Sequence, residues 1–238
     1  MPNELVLFIE VLVVFSSLLL TKKFFGKIGV MAWVCLATVL ANLITAKNAE
    51  IFGLPCAIGS VMFASTFLAT DILTECYGAR DAKKAVLMGL GSTILFVLAT
   101  QIALLYTPSA IDYAEDSMRN LFSLNLQISI SSAVMYFVAN IADIYIFEAI
   151  RKKTNGKYLW LRNNVATILC NCLENFFFVG FAFLGVFSFT DIMLTALSVS
   201  LIEAIVGICD TPFLYIARRI KERVNDHSNQ GGLENNQG

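Results

Sequence analysis

A single histidine, His227, occurs in 238 residues, and it lies in the polar C-terminal stretch. Serine–histidine or cysteine–histidine catalysis and histidine-rich metal sites have little to build on. Charge is scarce as well: Asp, Glu, Lys and Arg make up 15% of the chain, against about a quarter in an ordinary soluble domain. The net charge of −1 provides no basic surface for nucleic acid. The six cysteines, Cys35, Cys56, Cys76, Cys170, Cys172 and Cys209, form no CxxC pair and mostly fall in apolar runs. They read as small buried hydrophobes, without a disulfide framework. Cys170 and Cys172, two apart on a helix, face different ways, which weakens a shared metal site. No GxxxxGK[ST] loop occurs either, so the chain has no phosphate cradle with which to hydrolyse ATP alone. Neither a metal nor a cofactor is expected.

Apolar residues dominate instead, at 57% with a mean hydropathy of +0.71. No soluble core of this size needs so many, and the chain reads as an integral membrane protein. A spanning helix takes about 20 mainly apolar residues. Seven such segments occur, near 5–21, 28–46, 57–76, 85–107, 126–149, 165–187 and 192–217. The first lacks a preceding basic region and contains Glu10, so it reads as a span and not as a cleaved signal. Pro212 predicts a kink or break in the last. The expected fold is an all-α polytopic bundle of about seven transmembrane helices, six if the first or last segment is misread. Residues 1–224 form one transmembrane domain, and 225–238 a disordered cytoplasmic tail.

The cations test this layout. Of 17 Lys and Arg, 15 fall in segments 22–27, 80–84, 151–162 and 218–223, leaving only Lys47 and Arg119. With seven spans all four segments share one side, which the positive-inside rule makes cytoplasmic. The N-terminus then faces out and the C-terminus in, and no Lys or Arg remains inside a span. Residues 107–124 become an outer loop, partly helical.

Every ionisable residue well inside a span is acidic: Glu10, Asp71, Asp143, Glu174, Glu203 and Asp210. An Asp at a helix centre costs roughly 2.5–3.5 kcal/mol on insertion scales, so several of them imply a polar interior. Apart from Glu10, near the outer end, they share one band of depth. The fifth span contains ANIAD, with Asn140 and Asp143, and the sixth CNCLEN, with Asn171 and Glu174. Each is an amide one helical turn before an acid, so each pair points one way. An amide offers donors and acceptors while an ionised acid only accepts, and together they can read a planar ligand edge that shows both. Asn42 closes the second span near Lys47, which snorkels or guards the entrance. Glu75 and Glu148, at span ends, have Arg80 or Arg151 available as partners. The Phe176–Phe178 run covers most of a helix circumference, so part of it faces lipid or core. Trp33, Tyr158 and Trp160 read as packing or interface anchors.

The segments FLATDILTECYGA, ANIADIYIFEAIRK, CNCLENFFFVGFAF and DTPFLYIARR, in that order, resemble the queuosine-precursor transporters, also called the vitamin uptake transporter family. The resemblance runs from about Asn42 to Tyr215. It implies a bacterial inner-membrane importer of 7-deazaguanine bases (7-cyano- or 7-aminomethyl-7-deazaguanine, or queuine), with Asp71, Asp143, Asn171 and Glu174 at positions that matter. Asn140 stands where that family carries glutamine, and Glu174 where it carries aspartate. The chemistry fits: a guanine-like edge presents two adjacent N–H donors, which a carboxylate accepts in two parallel bonds. The expected substrate-binding set is Asn42, Asp71, Asn140, Asp143, Asn171, Glu174, Glu203 and Asp210, in a secondary importer that one buried acid could couple to protons. Two alternatives stay open: a substrate-binding membrane subunit of an ATP-driven uptake system, and, less favoured, an intramembrane aspartyl enzyme. The partners expected are the small-molecule base and the lipid bilayer, with no nucleic acid; a homodimer is left open.

Overall fold

The computed structural model describes residues 1–45, 47–122, 126–182 and 188–220. The tail expected to be disordered, from Asn225, lies outside them. Among the described residues the elements run α1 (Asn3–Ile44), β1 (Asn48–Ile51), β2 (Leu54–Ala57), α2 (Ser60–Cys76), α3 (Ala79–Ala103), α4 (Glu115–Phe122), α5 (Leu126–Lys153), α6 (Leu159–Ala182) and α7 (Phe189–Arg219). Five of them, α1, α3, α5, α6 and α7, are long and apolar enough to cross a membrane. The chain is thus a membrane helix bundle, as expected, except for one small hairpin.

Helix α1 has 42 residues and, if straight, would be about 63 Å long, twice a bilayer's hydrocarbon core. Gly26 interrupts it at φ 58° and ψ −142°, a backbone region that only glycine enters without strain. The two halves fold back on each other there. The Asn3 side-chain amide donates to the Glu50 carbonyl at 2.8 Å, and the Phe52 N–H donates to the Glu4 carboxylate at 3.1 Å, so both ends of α1 meet. A Cβ at Gly29 would sit 2.8 Å from the Thr21 carbonyl oxygen, whereas eight residues of straight helix rise about 12 Å. The expected segments 5–21 and 28–46 are these two halves.

The hairpin was not expected. Strands β1 and β2 pair antiparallel with Ile51 opposite Leu54. Phe52 and Gly53 form the two-residue turn, both with positive φ (53° and 74°), as a type I′ connection requires. It packs beside the start of α1.

Helix α2 is the central rod. Its residues from Ser60 to Thr74 are buried around the whole circumference apart from half-buried Phe63. Small residues make this possible, because Ala64, Ser65, Ala69 and Thr70 let neighbouring backbones approach. The hydroxyls of Ser65, Thr66, Thr70 and Thr74 donate to carbonyls three or four residues back, at 2.6–2.9 Å. Hydrogen bonds within the helix therefore satisfy those donors without water. Around α2 stand α1, α3, α5 and α7, with α6 packed between α5 and α7. The outward faces are apolar, with exposed Leu12, Ile28, Leu95, Leu98 and Ile208.

Two buried cations lie on candidate spanning helices, where no Lys or Arg was expected. Lys22 is 2% exposed and donates to the Ala217 carbonyl at 2.9 Å, at the C-terminal end of α7, where a cation is favoured by the helix dipole. Arg162, expected in a loop, lies on α6 and is fully buried. Nearby, Lys27 meets Asp81 at 3.2 Å in an exposed ion pair. Removing it with Asp81→Asn should change the unfolding free energy by less than about 1 kcal/mol. A thermal melt in detergent checks this.

Candidate functional site

Four helices bring polar groups to one interior through their three- and four-residue spacing. On α2 the series is Phe63, Phe67, Asp71 and Glu75; on α5, Tyr136, Asn140, Asp143 and Phe147. On α6 it is Asn163, Thr167, Asn171 and Glu174, and on α7 it is Glu203, Gly207, Asp210 and Leu214. Residues so spaced share one face of a helix. Gly207 belongs to its series because a Cβ there would meet the Thr167 methyl at 3.3 Å, so the missing side chain lets α7 approach α6.

Toward the basic end lie three acids. Asp71, Asp143 and Asp210 come from α2, α5 and α7, and none has any exposed surface. Asp71 and Asp143 face each other within interaction range, Asp143 also faces the Thr167 hydroxyl, and Asp210 lies within electrostatic reach of both acids. The Asn163 amide donates to one Asp210 oxygen at 2.5 Å and to Thr211 at 3.2 Å. Both oxygens of Asp71, both of Asp143 and the second of Asp210 have no well-formed hydrogen bond among the described residues. So does the entire side-chain amide of Asn171, donor and acceptor alike. Idle buried polar atoms are expensive, and several are concentrated here.

A second acidic pair lies further along the bundle. Glu174 and Glu203, on α6 and α7, are within electrostatic reach of each other. The Asn175 amide donates to Glu203 at 2.7 Å and to Ser200 at 3.3 Å, and Ser60 lies beside Glu203. Cys170 connects the two groups, within electrostatic reach of Asp71, Asp143 and Glu174. An aromatic cluster stands beside it: Phe67 packs on Ala139 and Cys170, and Phe63 meets Phe67 and Tyr136 edge-on at 5.5 and 6.2 Å between ring centres. The Tyr136 hydroxyl is another buried group without a partner.

Of the eight expected residues, Asp71, Asp143 and Asp210 meet at the inner group and Glu174 and Glu203 at the outer one. Asn140 is fully buried on the Asp143 face, its amide donating to the Tyr136 carbonyl at 3.0 Å and its oxygen idle. Asn42 differs: it donates to the Thr38 carbonyl at 2.8 Å within α1 and accepts from Ser132 at 3.4 Å, a bond that ties α1 to α5, and neither includes an acid. Glu148 pairs with Arg151 at 3.3 Å as expected. Glu75 does not take Arg80 or Arg151; its partners are Arg162 at 2.6 Å and Arg218 at 3.5 Å. Of the phenylalanine run, Phe177 is exposed and stacks on Phe181, while Phe176 and Phe178 pack inward. Trp33 donates to Ser65 at 3.1 Å.

Sequence reading passed over Asn163, Thr167, Asn175 and Arg162 on α6. A signal was present, since 163, 167, 171 and 174/175 form a polar ladder along one face of an otherwise apolar helix. The aromatic cluster had no comparable mark among 19 phenylalanines. Glu10 lines a small cavity of about 50 Å³ with Cys56 and Ser60, and a larger groove of about 600 Å³ runs along Leu19, Lys23 and Ile216. Neither is lined by the inner acids, which are closed in on all sides. A ligand reaches them only if helices part.

Comparison with known proteins gives a consistent picture. A family described as "Putative vitamin uptake transporter" matches residues 57–217. A protein of Bacillus subtilis (strain 168) named "Probable queuosine precursor transporter" is 32% identical over 207 residues, covering 87% of this chain and 90% of its own. A protein of the same name from Haemophilus influenzae is 25% identical over 125 residues, covering 52% of this chain and 51% of its own. No solved structure matches the chain.

Proposed function

The chain belongs to the vitamin uptake transporter family, and from that premise we propose that it is a secondary importer of a queuosine precursor, a 7-deazaguanine base, in a bacterial inner membrane. The observation that carries this reading is the facing pair Asp71 and Asp143, fully buried and with all four oxygens idle. A carboxylate with free lone pairs accepts the two parallel N–H donors of a guanine-like edge. Asn171, with donor and acceptor both idle, reads the mixed edge beside it. Phe67 and Tyr136 offer ring surface for the flat base. Glu174 and Glu203 balance the charge of an aminomethyl substituent.

The topology proposed with this function has seven crossings, N-terminus out and C-terminus in. The fold-back at Gly26 supports it, because it makes two crossings of α1. So do Lys22 against Ala217 and Lys27 against Asp81, which gather three of the cation-rich segments at one end of the bundle. The closed packing about the inner acids fits one stage of alternating access. A proton taken up by one of the facing aspartates supplies the coupling. That pair is also the geometry of an aspartyl enzyme, a reading the transporter family weighs against.

The test is uptake of a labelled 7-deazaguanine into liposomes carrying only the purified chain. Uptake driven by an inward proton gradient, and lost when the gradient is collapsed, is expected. Transport that needs a separate ATPase would instead indicate the substrate-binding subunit of an ATP-driven system. Phe67→Leu should weaken the apparent affinity up to about tenfold, the loss of roughly 0.5–1.5 kcal/mol of ring contact.

A further inference from the structure

Thr70–Gly78, TDILTECYG, carries two carboxylates one helical turn apart, Asp71 and Glu75, on a single face of the central helix. Like charges so placed repel, and both are buried, Asp71 completely and the Glu75 side chain to 5% exposure. The chain answers with Arg162, the largest of its fully buried side chains. One arm of its guanidinium donates to Glu75 at 2.6 Å, and the other to the carbonyls of Gly156 and Lys157 at 3.1 and 3.2 Å. Its Nε–H has no partner among the described residues. Asp71 lies within its electrostatic reach, and the Phe147 ring is 5.2 Å from its central carbon. A buried cation with one idle donor, bonded to one acid and in range of another, has two places to go.

We propose that Arg162 is a positioning residue shared between two carboxylates, latching the basic end of the bundle through Glu75 in the closed form and turning toward Asp71 when that end opens. Glu75 suits the latch because cations from two other helices, α6 and α7, meet on it, and a third helix bonds the residue before it. Arg218 of α7 approaches at 3.5 Å, and beside it Arg151 of α5 donates to the Thr74 carbonyl at 3.4 Å. Breaking the Glu75–Arg162 bond therefore frees α2 from α6 at the level just below the three inner acids. Arg162 then supplies to Asp71 the positive charge that a departing cation or donor-rich ligand takes away. An arginine fork is suited to this exchange, since its charge is permanent and its donors point in fixed directions.

The inference rests on the transporter reading only for its purpose; the latch itself is testable without substrate. Cys76 follows Glu75 and is half-buried. In a variant retaining only that cysteine, purified into nanodiscs so that both faces are accessible, the rate of reaction with a polar maleimide reports opening. Glu75→Gln should raise that rate severalfold, and Arg162→Lys, with charge but no fork, should raise it less. Glu75→Asp, which keeps the carboxylate that Arg162 and Arg218 bond, should stay closer to the parental value than Glu75→Gln, a difference that general loosening of the fold would not produce. A Glu75→Gln protein that elutes as a folded species and reacts at the parental rate would overturn the proposal, as would a Glu75→Asp protein that reacts as fast as Glu75→Gln. Failure of uptake with normal latching would count against the importer and leave the latch standing.

Discussion

Asp143→Asn should lower uptake about ten- to a hundredfold while leaving the protein folded. The substitution keeps size and shape but removes a charge and replaces one acceptor with a donor. Hydrogen bonds to charged groups contribute roughly 1.5–3 kcal/mol, and each 1.4 kcal/mol is about tenfold in affinity. Folding should tolerate it because neither Asp143 oxygen has a well-formed hydrogen bond among the described residues, so little native bonding is lost. Easing the repulsion from Asp71 should even favour the closed bundle. Loss of uptake without loss of stability is thus the signature of a residue that serves a ligand. Asp81→Asn, at the exposed pair with Lys27, is the matched control and should transport normally. Parental uptake by Asp143→Asn in the liposome assay would count directly against the site.

Gly26→Ala should destabilise the protein by about 1–3 kcal/mol, the strain of forcing an L residue into a glycine-only backbone region. Gly26 is buried at the point where α1 reverses, with φ 58°, and the contacts of Asn3 and Glu4 with the hairpin depend on that reversal. Gly91→Ala provides the contrast. It lies within α3 with nothing within 4 Å of an added Cβ, and alanine there should stabilise the helix by up to about 1 kcal/mol. Opposite shifts in the thermal midpoint are expected, measured in one detergent. A Gly26→Ala protein as stable as its parent would mean that the fold-back does not need the glycine.

Most of the fold was legible because insertion into lipid writes itself on composition. Runs such as 85–107 and 192–217 are apolar enough to be placed by length alone, and Lys22 to Lys27 separates the first two segments about the reversal at Gly26. The hairpin was not legible. Its strands have four residues each and lie where apolar character breaks, so periodicity had too little length to act on. The acids were conspicuous because each is costly in a membrane; their meeting in two groups depends on helix rotation, which spacing within one helix does not determine between helices. Asn42 shows the limit, since its bonding to Ser132 across two helices looks the same in sequence as an amide left idle, such as Asn171. Arg162 was read as a loop cation because it stands at the edge of a basic segment. Only packing reveals that its charge is turned inward, toward Glu75.

Equilibrium binding of a panel of 7-deazaguanines, guanine and adenine to the purified chain tests most directly whether the buried acids form a base-binding site. The deazaguanines should bind, adenine should not, and binding should fall at least about tenfold in Asp143→Asn and Glu174→Gln. Equal binding of every base, or a deazaguanine bound as tightly by both variants as by the parent, would contradict it.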